Sequence, residues 1–455
     1  MVKRTIISIF CLVFGFTGYY SFCLDVPISR ITDDSAFRAS VKESWLGESP
    51  GRVLAKTNVM HNLPGGGRIE LRAEAGQNEF MVIFARELTG MYNGRSVNTG
   101  QFPGWAQGSW ILTRRRDTGA PVRIRVFPRS DPYTYVQFRP FSGDKCQMDL
   151  VLYDAYIIRS MPLPVSLERL YTMPVAEVLN LAGNKFPRRY FEPNPDDYRD
   201  QRLLIAQIRE HLPELNFADD GAINETGSYV FIKTGLNQPN VQTGLNCSGF
   251  TKWLIDGILK PVTGRRLELT PLKEPFGNRG TSFTDIWEEL RDPFFGLDWI
   301  RNLASQAWTV LRAPSFGTLD EIEVRRETFS QIIVRNGPNI TVQSYPGFLS
   351  NAGYGVEGLH PLLYTLAIDE PGRFYLAAVN NEIGPPTIET NLRGRPRMRQ
   401  YFHVAALIPY FNEYGVFQVA VFESAAETSI NAFKSRYPGQ QVNLVRIPVE
   451  TKFAP

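Results

Sequence analysis

The sequence predicts an α+β protein in two parts, and three observations carry this prediction. Residues 24 to about 190 contain alternating apolar and polar residues separated by turn signals, which is typical of strands. Residues 198–455 mix helical periodicity with strand-like runs. A segment rich in proline and charge, 185–197, separates these two regions. We therefore expect an N-terminal β-sandwich or barrel-like domain over 24–190, followed by an α+β domain over 198–455.

Length and composition agree with a folded protein of two or more domains. The chain has 455 residues, of which 43% are hydrophobic and 21% charged. Lys and Arg number 49 against 46 Asp and Glu, so the net charge is +3, and about +1 once an N-terminal signal is removed. So small a charge gives no general field for nucleic acid, and we expect none as a partner.

The first 23 residues predict a signal peptide. Lys3 and Arg4 form a short basic start, and the stretch from Thr5 to Gly18 is almost wholly apolar or small. The run 21–23, Ser-Phe-Cys, then offers a small-x-small pattern for cleavage. Lipidation on Cys23 and a retained membrane anchor are the alternatives. We expect an exported protein, periplasmic or extracellular, with anchoring to the envelope left open.

The N-terminal part shows strands and an excess of arginine. Residues 122–126 alternate strictly and form a predicted hairpin with 110–112 across the turn at 117–119. Residues 133–138 and 148–158 are further strand candidates. The arginines could contact an anionic polymer or a membrane surface, or they could be the solvated face of a hairpin. They are Arg114, Arg115, Arg116, Arg123, Arg125, Arg129 and Arg139.

The second part begins with a predicted helix and ends with predicted strands. Leu204, Ile208 and Leu212 recur every four residues, and Pro213 ends the run. Residues 286–311 also have a helical pattern. Strands are predicted at 373–379, 403–408 and 417–422.

Cys247 is the candidate nucleophile. The apolar residues after it recur at helical spacing, and Asn246 is a favoured N-cap, so Cys247 falls in the first turn of a helix. There the helix dipole and unpaired backbone N–H groups lower the pKa of a thiol and can stabilise an oxyanion. The alternatives are a buried structural cysteine, or a disulfide with Cys146.

A thiol nucleophile needs a base, and the chain has four histidines. His61 and His211 are most simply structural, and His360 is a weaker candidate for the base. His403 begins a strongly apolar strand, where an ionisable side chain needs a partner.

Glu423 is the predicted partner of His403. If strands 403–408 and 417–422 form a hairpin centred on Glu413, positions 403 and 423 lie opposite each other on one face. A register slip of one residue would place them on different faces. The alternative is an ion pair at the end of a strand, without catalysis.

The run 246–250, Asn-Cys-Ser-Gly-Phe, resembles the nucleophile motif of NlpC-type cell-wall cysteine peptidases. The resemblance extends to the strand that His403 begins and to the place of Glu423, and it covers 198–455 at most. It implies a papain-like fold and cleavage of an amide bond in peptidoglycan stem peptides. Cys247 would then be the nucleophile, His403 the base, and Glu423 the residue that orients it.

The chain departs from that family pattern in three places. Asn246 stands where the family has Asp, and 156 residues separate Cys247 from His403. The long spacing predicts a large insertion around 260–370. The family's upstream Tyr has no clear counterpart, so Tyr229 or Gln242 would complete the oxyanion hole together with the backbone at Ser248.

The sequence thus predicts an exported thiol hydrolase that uses no cofactor and no metal, because no His, Cys or carboxylate pair has zinc-ligand spacing. Two other functions remain open. One is a non-catalytic envelope-binding protein on a degenerate peptidase scaffold. The other is a thiol acyltransferase or lipid hydrolase with the same nucleophile.

Overall fold

The computed structural model describes residues 24–64, 66–92, 95–240, 243–277, 292–337, 339–383 and 398–455. The fold is α+β with large antiparallel sheets, 31% helix and 32% strand, as predicted. The predicted signal peptide, residues 1–23, lies outside the described residues. Within them, no helix has the length and apolar character needed to cross a bilayer.

The described residues of the N-terminal part form ten strands. They are β1 Val59–Asn62, β2 Arg68–Ala75, β3 Glu79–Arg86, β4 Thr89–Tyr92, β5 Arg95–Asn98, β6 Trp110–Arg115, β7 Pro121–Val126, β8 Tyr135–Pro140, β9 Cys146–Leu152 and β10 Ala155–Leu163. β4 and β5 pair with each other in a separate sheet, and the other eight strands form one antiparallel sheet in sequence order. β6 and β7 form the predicted hairpin. The predicted single strand 148–158 is instead two strands, because the chain reverses at Tyr153 and Asp154, both at positive φ.

The second part supplies the remaining strands. They are β11 Gly221–Ile223, β12 Tyr229–Phe231, β13 Gln331–Asn336, β14 Asn339–Ser344, β15 Tyr354–Gly355, β16 Arg373–Ile383, β17 Met398–Phe411, β18 Phe417–Glu423, β19 Ala426–Ser429 and β20 Gln441–Pro448. β11 pairs with β12, and six others form a sheet in the order β15-β20-β16-β17-β18-β19. The three strands predicted between 373 and 422 lie in β16, β17 and β18.

The hairpin β13–β14 extends the N-terminal sheet. β13 pairs with β10, so the sheet has ten strands with β1 at one edge and β14 at the other. Among the described residues, no pairing joins these two edges. The predicted sandwich or barrel is therefore a single open sheet, because the edge that could close the sheet is taken by a hairpin from the second part.

Ten helices of the described chain pack around the sheets. They are α1 Ser35–Ser40, α2 Pro50–Leu54, α3 Val175–Leu181, α4 Arg199–His211, α5 Cys247–Thr263, α6 Thr270–Lys273, α7 Phe295–Leu311, α8 Leu319–Ile322, α9 Leu359–Asp369 and α10 Ile430–Arg436. α4 ends just before Pro213, as predicted. α7 lies within the predicted helix 286–311, of which 286–291 are outside the described residues.

Helix α5 lies at the centre of the second part. It contacts β11, β17 and α7, and every side chain from Ser248 to Leu259 is buried. The predicted apolar stripe is therefore only one of its buried faces. Even the ion pair of Lys252 and Asp256, whose Nζ and Oδ2 atoms are 2.6 Å apart, lies inside. Such burial fixes the helix and the position of its first residue, Cys247.

Candidate functional site

The first turn of α5 is capped as the sequence predicts. Asn246 has extended backbone angles, and its side-chain oxygen accepts a hydrogen bond of 2.8 Å from the N–H of Gly249. This bond satisfies one of the free donors at a helix start. Cys247 is therefore the first helical residue, and its thiol lies where the helix dipole favours negative charge.

A close backbone contact holds this turn against β11. The N–H of Asn246 donates to the carbonyl oxygen of Gly221 at 3.0 Å. Gly249 packs on the same carbonyl, where a Cβ atom would lie only 1.9 Å from the oxygen. Glycine is therefore required at position 249, and the helix start cannot move away from β11 without losing the contact.

Two backbone donors beside the thiol are open. Within the described part of the chain, the N–H groups of Cys247 and Ser248 make no hydrogen bond, whereas those of Asn246, Gly249 and Phe250 do. Open N–H groups next to a nucleophile can receive the oxyanion of a tetrahedral intermediate. The predicted role of the backbone at Ser248 is thus geometrically available.

His403 and Glu423 are in contact, as predicted. The distance from His403 Nε2 to Glu423 Oε2 is 2.7 Å, and both side chains are largely buried. With Nε2 engaged by the carboxylate, Nδ1 is the ring nitrogen left for the thiol. The same arrangement of thiol, imidazole and orienting carboxylate is typical of nucleophilic catalysis.

The thiol and the imidazole shift each other's ionisation. Burial acts to raise the pKa of Cys247, but its hydrogen bond to His403 and the charge of the imidazole lower the pKa below the usual value for a thiol. The N–H of Val404 and the hydroxyl of Ser248 add to this effect. Burial acts to lower the pKa of His403, yet Cys247 and Glu423 raise it to about 9. A thiolate–imidazolium pair is therefore favoured near neutral pH.

Two residues of this site carried no signal in the sequence. Arg436, at the end of α10, donates to the second carboxylate oxygen of Glu423. Tyr437 stacks on the His403 ring, with ring centroids 5.5 Å apart. Burial raises the pKa of Glu423, but His403 and then Arg436 outweigh it, so this carboxylate stays ionised. Basic residues are common at helix ends, and nothing local distinguishes Arg436 from these.

The predicted oxyanion residues Tyr229 and Gln242 remain predictions. Tyr229 lies on β12 opposite Ile223 and is half-buried. Within the described residues, no hydrogen bond or ring contact joins Tyr229 to Cys247. Gln242 lies outside the described residues.

The other three histidines are held in structural contacts. His61 stacks on Phe37 with ring centroids 3.9 Å apart, and His211 lies 3.4 Å from a carboxylate oxygen of Glu214. Burial lowers the pKa of His360 to about 3, so it stays neutral among aromatic rings.

Cys146 and Cys247 are both free thiols, so they do not form a disulfide. Their environments differ. Burial in the N-terminal sheet raises the pKa of Cys146 to about 11, whereas the pKa of Cys247 is lowered.

Most of the arginines of the N-terminal part are engaged within the protein. Arg123 pairs with Glu79 at 2.7 Å, and Arg139 pairs with Asp149 at 2.9 Å. Arg114 donates to the backbone, and Arg125 stacks over Tyr135. Binding of an anionic polymer or a membrane surface by these arginines stays a prediction.

Comparison with known proteins bears on the N-terminal part alone. Residues 27–190 match the model of a family described as a domain of unknown function (DUF8515). No curated protein and no solved structure matches the chain. Cys247, His403 and Glu423 all lie outside the matched range. In the described part of the chain, no group of three or more His, Cys, Asp or Glu side chains could hold a metal ion.

Proposed function

We propose that the protein is an exported thiol hydrolase that cleaves an amide bond, with Cys247 as nucleophile, His403 as acid and base, and Glu423 as the orienting carboxylate. One observation carries the proposal. The Cys247 thiol, at the start of a capped helix, has a lowered pKa, and the His403 imidazole on β17, whose Nε2 lies 2.7 Å from Glu423 Oε2, has a raised pKa.

The chemistry follows from these contacts. The thiolate sulfur attacks the carbonyl carbon, and the resulting oxyanion accepts hydrogen bonds from the N–H groups of Cys247 and Ser248. The C–N bond breaks as the His403 imidazolium gives its proton to the leaving amine, which yields a thioester. Water then attacks the thioester while His403 takes its proton, and the C–S bond breaks.

The substrate we propose is a peptidoglycan stem peptide, and the fold we propose for 198–455 is papain-like. Both rest on the resemblance of residues 246–250 to NlpC-type peptidases. The packing of α5 against β17, the strand that carries His403, supports the same arrangement. Export, which the sequence predicts, would bring the enzyme to a cell-wall substrate.

The first test is the alkylation rate of Cys247 as a function of pH in the chain lacking residues 1–23. We expect the thiolate to form well below the reference pKa of about 8.5. With anionic iodoacetate, the rate should fall as the pH rises through about 9, because His403 loses the positive charge that attracts the reagent. Cys146, buried and with a pKa raised to about 11, is an internal control that should react slowly.

Variants complete this test. His403→Ala should shift formation of the Cys247 thiolate to higher pH and abolish turnover of wall peptides. Cys247→Ala should also abolish this turnover. Glu423→Gln should reduce turnover without abolishing it, since the imidazole keeps its place beside the thiol. Slow alkylation of Cys247 that is indifferent to His403 would refute the dyad. Binding of wall fragments that survives Cys247→Ala, without turnover, would instead identify a non-catalytic binding protein.

A further inference from the structure

A cavity of about 290 Å³ lies in the N-terminal part, away from the thiol. Its walls come from the segment 24–32, the end of β3 and the hairpin β4–β5. The volume is close to the lower limit for small-molecule sites. The lining contains three arginines, Arg30, Arg68 and Arg86, and one carboxylate, Glu87.

The arginines are not all neutralised. Arg68 forms a two-pronged pair with Glu87, with Nε–Oε2 and Nη2–Oε1 distances of 2.9 and 2.5 Å. Both carboxylate oxygens of Glu87 are therefore engaged by Arg68. Neither Arg30 nor Arg86 forms an ion pair with a carboxylate of the described residues. Among the residues that line the cavity, positive charges therefore exceed negative charges by two.

Arg86 is the more unusual of these two cations. It is only 7% exposed, and its Nε atom has no hydrogen-bond partner among the residues that the structure describes. Its Nη2 donates to the carbonyl oxygen of Thr32. Burial lowers the pKa of Arg86 to about 10, and Asp33 offsets this only in part. Because Asp33 compensates the buried charge only in part, an anion beside Arg86 would be stabilising.

The surrounding backbone leaves room for this guanidinium. Gly108 has a φ of +83°, and a Cβ atom there would lie 3.1 Å from Arg86 Nε and 3.0 Å from Ile31. Both neighbours line the cavity. A larger residue at position 108 would therefore displace Arg86 from its place in the wall.

We propose that this cavity binds the oxyanion group, carboxylate or phosphate, of a small ligand. Arg86 and Arg30 supply the positive charge, and the planar guanidinium is well suited to both groups. Ser96 and Asn98 also line the cavity and supply polar contacts, while Val26 and Ile31 offer apolar surface to the rest of the ligand. The site is independent of the proposed hydrolase.

The test measures the binding of inorganic phosphate and of acetate to the chain lacking residues 1–23, at constant ionic strength, by calorimetry and by melting temperature. We expect saturable binding of at least one ion, with a rise in melting temperature. The ion that saturates at the lower concentration identifies the ligand group. Arg30→Gln and Arg86→Met should each weaken binding at least about tenfold, the loss expected for a charge-assisted hydrogen bond.

The matched control is Arg52→Gln, which removes an exposed arginine of the same part of the chain that does not line the cavity. It should leave binding unchanged. The proposal is overturned if neither ion binds saturably, or if all three variants bind alike. If Arg86→Met fails to fold, ion binding by Arg30→Gln, a variant at an exposed position, tests the proposal alone. Alkylation of Cys247, measured in parallel, should not change, so the two proposals can fail separately.

Discussion

At the scale of single residues, the site is a chain of alternating charges. Cys247 interacts with His403, His403 with Glu423, and Glu423 with Arg436. Each member favours the charged form of the next, which is why the pKa of the imidazole rises in spite of burial. Arg436 does not touch the thiol, so we regard it as a positioning residue that holds Glu423 ionised and oriented.

Arg436→Met tests this role. Removing the cation raises the pKa of Glu423, and it also raises the pKa of His403, because less positive charge then opposes the imidazolium. The fall in alkylation rate near pH 9 should therefore move to higher pH. The alkylation rate should fall by up to about fivefold, the equivalent of the ~1 kcal/mol that a partly exposed ion pair contributes. The measurement is the pH profile of iodoacetate alkylation.

Arg209→Met is the control, since Arg209 has nearly the same exposure and forms a similar pair with Glu427 away from the thiol. Its profile should match that of the native chain. If Arg436→Met also leaves the profile unchanged and both variants only lower the melting temperature, Arg436 has a structural role alone.

At the scale of elements, the predicted register of the β17–β18 hairpin is wrong, yet the predicted contact between His403 and Glu423 is present. The sequence predicts a hairpin centred on Glu413, but Phe411 pairs with Phe417, which centres it on Tyr414. Continuing this register places position 425, not Glu423, opposite His403. The error is two residues, so both side chains stay on the same face and meet diagonally.

The start of α5 is the second element on which the site depends. Gly249→Ala would drive a Cβ atom into the Gly221 carbonyl. We expect a loss of about 1–3 kcal/mol in the free energy of unfolding, the usual cost of overpacking. Because the first turn must move, the Cys247 thiolate should also form at higher pH. Denaturant unfolding and the alkylation profile measure these two effects.

Gly51→Ala provides the comparison, because a Cβ atom on this glycine of α2 would meet nothing within 4 Å. It should leave the alkylation profile unchanged and stabilise the protein slightly, since alanine favours helix. Native stability in Gly249→Ala would contradict the proposed packing role of the Gly221 carbonyl.

At the scale of the whole molecule, the two parts are tied together by more than the polypeptide linker. The hairpin β13–β14 belongs to the second part but pairs with the N-terminal sheet. Arg129, from the N-terminal part, donates to the hydroxyl of Tyr364 at 2.9 Å and to the carbonyl oxygen of Gly415 at 2.8 Å. Most of the buried apolar residues of both parts form one continuous cluster. The N-terminal part therefore supports the sheet that carries His403.

Arg129→Met should weaken this support. The substitution leaves the Tyr364 hydroxyl and the Gly415 carbonyl without their buried donor, and Asp25 loses a cation 3.5 Å away. We expect a loss on the order of 3 kcal/mol in the free energy of unfolding, measured in denaturant. Arg115→Met, at an exposed position of β6, should change it by less than about 0.5 kcal/mol. Equal effects of the two variants would show that Arg129 does not join the parts.

The sequence by itself determined the features that depend on near neighbours. The N-cap of Asn246, the helix after Cys247 and the strands around His403 follow from capping and periodicity, which involve residues a few positions apart. The pairing of His403 with Glu423 was also within reach, because the two residues belong to adjacent strands joined by a short turn.

Only the tertiary structure decided the rest. Arg436 on Glu423, Gly249 on the Gly221 carbonyl, and Arg86 beside its cavity depend on where the backbone places residues from different elements. The same holds for the ten-stranded sheet, whose last two strands come from about 170 residues further along the chain than β10. No local pattern encodes such contacts, because burial and backbone approach exist only once distant segments pack together.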